Sequence, residues 1–191
     1  ADLNLAEVAI QLPGTGSADH FDAPAMPVFG AMREFAPGRV SRRYGVKHRT
    51  ERHWIPPSPD FPNGSGTYDL ELESIGSHQP LGDYQIRSVD GTVSLPVYRP
   101  VSLATEAPPK GVADSSNASL KWHSQIVAAV EPCWLSPPEG SMWSGILPRI
   151  GFCTHARHAP VEIRRFATGA SAEIGLGTEK VRTDTTFRAD G

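Results

Sequence analysis

Apolar residues in this chain recur mostly at every second position, and that period commits the backbone to strands. In EVAIQL, Val8, Ile10 and Leu12 share one face; in TYDLELESI, Tyr68, Leu70 and Leu72 stand opposite Asp69, Glu71 and Glu73. Side chains alternate across a strand, so each pattern describes a ribbon with one dry and one wet face. The run DYQIRSVDGTVSLPVY adds a hairpin, two β-rich arms joined at Asp90-Gly91, a pair that tolerates the positive φ of a tight type I′ turn. Pro96 brings no N–H to a ladder, so the second arm is expected at an edge or broken there.

The segment SLKWHSQIVAAVEPCWL admits a helical stripe through Leu120, Val127 and Val130. Period two fits better, with Leu120, Trp122, Ile126, Ala128 and Val130 on one face and Lys121, His123, Gln125 and Glu131 on the other. A long strand is predicted, followed by further strands in SGILPRIGFC, PVEIRRF, SAEIGL and EKVRTDTTFR. A short helix fits only PVFGAMREF, and Gly30 weakens it. Eighteen Gly and eighteen Pro, roughly a fifth of the 191 residues against an ordinary sum of about 12%, demand frequent turns. The expected fold is all-β, an antiparallel β-sandwich or jelly roll with long Pro/Gly-rich loops and extended arms. Residues 1–191 are read as a single domain in which 13–66 is partly an extended, basic arm or loop region.

Charge is uneven. Between Arg33 and His53 stand seven basic residues against Glu34 and Glu51, a local excess of five in a chain of net charge −3. The remainder therefore carries −8. Arg39, Arg42, Arg43, Lys47, Arg49 and Arg52, with Tyr44 and Trp54 nearby, are candidates for contact with nucleic acid or with an acidic face of a neighbouring subunit. A pI near 6.2 and the lack of a nucleic-acid motif favour the subunit.

The richest set of metal-ligand side chains is CTHARHAPVE, residues 153–162. A site of His155, His158 and Glu162 is conceivable. Their order with Gly169 resembles the first motif of the cupins, which would imply a metal-dependent β-barrel enzyme. In that motif one residue separates the histidines; here two do, which turns them to opposite faces of a strand, and no second motif follows. The CTH triplet resembles the first ligand box of Rieske iron–sulfur proteins, but the second Cys–His pair of that family is missing. No nucleophile elbow, phosphate loop or dinucleotide fingerprint is present. No catalytic residue, cofactor or resident metal is expected. Cys133 and Cys153 are read as buried thiols, with one bridge as the alternative. The aromatic set Trp122, Trp134, Trp143 and Phe152 reads as core or interface.

No window approaches the 18 apolar residues of a membrane span, and no membrane partner is expected. The features together describe a structural subunit whose partners are copies of itself or other subunits, with nucleic acid possible through the basic segment. The expected setting is a virion or a soluble intracellular assembly, most of all a virus or phage coat. The alternatives are the metal-dependent enzyme and an accessory subunit of a cellular complex.

Overall fold

The computed structural model describes residues 6–14, 23–45, 50–61, 66–88, 91–128, 133–152 and 161–189. The chain is built mostly of strands in several mixed and antiparallel sheets, and is all-β in character. It divides into two compact units, residues 1–122 with 167–191, and residues 123–166.

In the first unit, β1 (Glu7–Gln11) lies between β2 (Ala25–Pro27) and β6 (Ser102–Ala104). It pairs antiparallel with β2, Val8 opposite Met26, and parallel with β6, Ile10 opposite Leu103. The expected face is the buried one: Val8, Ile10 and Leu12 are all but inaccessible. The expected short helix, α1 (Val28–Glu34), follows β2 directly. These elements close over Phe35, Ile55 and Leu70 in one apolar cluster.

A second sheet has the order β3 (Gly66–Glu71), β11 (Glu179–Arg188), β10 (Val161–Leu176), β7 (Asn117–Ala128). β10 and β11 are antiparallel, Ile174 opposite Val181, whereas β3 runs parallel to β11, Leu70 opposite Phe187. The two parallel pairings depart from the antiparallel expectation. Alternation reports which face is wet and carries no information about strand direction. Leu72 also leaves its expected strand, since a 3-10 turn, Leu72–Ile75, begins there.

Over this sheet Val40, Trp54, Phe61, Val112, Ala172 and Ile174 form a second cluster, with the Trp54 and Phe61 rings edge to face at 5.4 Å. Gly38 permits the close approach: at φ +92°, a Cβ there would stand 2.5 Å from that of Ala172. Within segment 13–66, Phe35, Ala36, Val40, Trp54, Ile55 and Phe61 are thus core residues.

The long strand replaces the helical alternative over β7. Ala118, Leu120 and Trp122 are half-buried, alternating with exposed Asn117, Ser119, Lys121 and His123. The hairpin is present as β4 (His78–Ser88) and β5 (Gly91–Pro100), a two-stranded antiparallel sheet in which Pro96 lies opposite Asp83. Ser88 pairs with Gly91, so the connection is made by residues 89 and 90, outside the described residues, instead of Asp90-Gly91. Two strands bury little, and most of this sheet is exposed.

Candidate interface surface

The second unit contains the end of β7, β8 (Cys133–Leu135), β9 (Ile150–Phe152) and the start of β10. β8 and β9 pair antiparallel, Cys133 with Phe152 and Trp134 with Gly151. Between them the sequence SPPEGSMWSGILPR has no alternation to extend a strand. It folds into successive turns held by Ser141 N–H to Pro138 O at 3.1 Å, Ser144 N–H to Ser141 O at 3.1 Å, and Leu147 N–H to Trp143 O at 2.8 Å. Gly140, at φ +76°, opens the series.

These turns place apolar side chains in water. Trp134, Leu135, Met142, Trp143, Ile146, Leu147, Ile150, Phe152 and Ile163 are between 37% and 75% exposed. They are nine of the twelve exposed large apolar residues among those described, while every buried apolar residue belongs to the first unit. Scattered exposed leucines are ordinary; eight of these side chains between Trp134 and Phe152, with no buried apolar residue among the described residues of the unit, are not. Covering nine such half-exposed side chains is worth on the order of 10 kcal/mol before the costs of association.

Two contacts order the surface from within. The Arg149 guanidinium stacks on the Trp134 ring, 3.9 Å from its centroid, and the same indole lies across Gly151. At the start of the unit, His123 stacks on Phe166 with centroids 5.5 Å apart and planes inclined by 15°.

Of the aromatic set picked out in the sequence, Trp134, Trp143 and Phe152 are exposed here and are not core. Trp122 is half-buried in the first unit, edge to face with Phe29 at 5.9 Å. Cys133 is a free, exposed thiol, contrary to the expectation of burial, and every residue of β8 is exposed with it. The sequence signal for this surface was available in the run from Met142 to Phe152, where apolar residues crowd a Pro/Gly-rich stretch without period.

The basic segment is largely committed internally. Arg42 and Arg52 both bind Asp114, Arg52 Nη1 at 3.0 Å, and Arg52 Nη1 also donates to Val112 O at 2.5 Å. The two guanidinium groups, Arg52 first, hold the Asp114 carboxyl below the usual carboxylate range. Arg39 reaches Glu34 at 3.7 Å, and Arg43 lies over the Tyr44 ring at 5.3 Å. Lys47 and Arg49 lie outside the described residues. The base of the segment is pinned by a Ser41–His53 bridge and by Thr50 N–H to Gly45 O at 2.7 Å.

His53 is fully buried, with Nε2 2.8 Å from Arg43 O and Nδ1 3.0 Å from the Thr105 hydroxyl. Burial lowers its pKa. The carbonyl of Arg43 can only accept, so Nε2 carries the proton of the neutral ring, while the Thr105 hydroxyl beside Nδ1 gives its one proton to Gln11 O at 2.8 Å.

His155 and His158 lie outside the described residues, as does the side chain of Glu162, so the metal-site alternative falls there too. Among the described residues no three His, Cys, Asp or Glu gather as a metal site, and no helix is long and apolar enough to cross a membrane. No protein-family model, curated protein or solved structure matches the chain.

Proposed function

We propose that this chain is a structural subunit of a large assembly, a β-sandwich or jelly-roll protein of the kind that builds a virus or phage coat, acting through subunit interfaces. The observation that carries the reading is the apolar surface of residues 133–152 and Ile163, which among the described residues has no buried apolar side chain of its own. A folded first unit, with two buried clusters, supplies the anchor for it. The two-stranded sheet of β4 and β5 is a second element short of partners, with Leu81 and Val93 exposed. In an assembly both would exchange water for neighbouring protein, and the interface would be the function.

Size-exclusion chromatography with light scattering tests this on the purified full chain. Concentration-dependent growth beyond the monomer mass is expected. A chain that stays monomeric and folded at high concentration overturns the proposal.

A further inference from the structure

We infer that the surface of residues 133–152 and Ile163 is covered by the same surface of a second copy, across a two-fold axis. The inference rests on the assembly reading above and names the partner. Three features of the second unit converge on that occupant.

The first is area. Large side chains present roughly 150–250 Å² each when fully bare. At about half exposure, nine of them offer on the order of 900 Å², against the roughly 800 Å² per partner of a standard interface. The surface is the size of one side of a stable dimer.

The second is composition. Residues 123–166 contain no Lys, four Arg and three Glu. This segment is close to neutral, so a copy of itself approaches without like-charge repulsion. Trp, Phe, Met and Arg with no Lys is also the content of self-associating interfaces. An electrostatically bound partner of strong charge finds no counterpart here.

The third is the backbone. Among the described residues β8 and β9 form a sheet of two strands, each with an outer edge that pairs with no other strand. A lipid phase cannot satisfy edge N–H and C=O groups, whereas a second protein edge can. A two-fold axis brings the same edge of a second copy alongside in antiparallel sense, and so pairs the backbone while Trp134, Trp143 and Ile146 are buried.

Sedimentation equilibrium of the full chain tests the inference, comparing wild type with Trp143→Asp and Ile146→Asp, and with Val101→Asp, an exposed position of the first unit outside both candidate contact elements, as a control. All three positions are exposed, and circular dichroism checks that each variant keeps its strand content. The expected result is a dimer step weakened at least ~10-fold by either substitution in the second unit and unchanged by the control, since centrally placed anchors carry most of such an interface. Self-association untouched by Trp143→Asp and Ile146→Asp overturns this inference while leaving the assembly reading in place. A monomer at every concentration overturns both. Binding of wild type to phosphatidylcholine vesicles that both variants abolish assigns the surface to lipid and overturns the inference.

Discussion

The indole of Trp134 lies so close over Gly151 that a Cβ at position 151 would meet the ring at 2.6 Å. Glycine at that point of β9 lets the ring lie flat across its partner strand and under Arg149. Gly151→Ala is expected to lift the indole, with loss of a cation–π contact worth about 0.5–1 kcal/mol at an exposed site. Acrylamide quenching of tryptophan fluorescence should rise, and the rise should vanish in a Trp134→Phe background.

The two units should respond differently to truncation. Ile174 is fully buried against Trp54 and Val112, so Ile174→Ala is expected to cost about 2–5 kcal/mol. Ile146 is 66% exposed, and in the monomer Ile146→Ala should fall within about 0.5 kcal/mol of wild type. Urea midpoints at a concentration below the association threshold measure both.

His53 makes the fold sensitive to mild acid. Its buried ring resists protonation, so below the ordinary histidine range, near pH 6.5, the unfolded chain takes up a proton that the native state refuses. Stability from this residue is complete above that pH and declines as pH falls below it. The Thr105 hydroxyl, 3.0 Å from Nδ1, donates its one proton to Gln11 O at 2.8 Å, and Gln11 O also accepts the Thr105 N–H at 2.9 Å. Thermal midpoints should drop between pH 7 and pH 5, and His53→Gln should flatten that slope even as it lowers stability at pH 7.

Asp114 determines how much of the basic segment is free. With Arg42 and Arg52 both engaged, wild type should bind a single-stranded oligonucleotide weakly. Asp114→Asn removes the charge that holds them, and salt-dependent retention on an oligonucleotide column should increase. Retention unchanged by Asp114→Asn would show that the two guanidinium groups do not face such a ligand.

The parts of the fold legible in the sequence are those where one side of a strand is buried. Val8, Ile10 and Leu12 announce their face because the other side of β1 breaks the apolar run, and Leu120 and Trp122 announce theirs against Lys121 and His123. What sequence could not convey is pairing at a distance. Arg52 and Asp114 stand 62 residues apart, and nothing local to either names the other. Trp134 and Phe152 illustrate a second limit: an aromatic residue has the same composition signal beneath a core and on an interface. Only the fold, which leaves both side chains exposed, separates the two.

The parallel pairing of β3 with β11 sets Gly66 beside Thr183, and Thr185 Oγ1 donates to Pro57 O at 2.8 Å. A ribosome must therefore deliver every element from β4 to β10 before β3 meets its neighbour β11. Before that interval closes the sequence from Trp134 to Phe152 has already been synthesised, while the sheet of β3, β11, β10 and β7 is still incomplete. The timing of synthesis makes this stretch the natural substrate for a chaperone, and a chain stopped before β11 should be recovered from cells as aggregate.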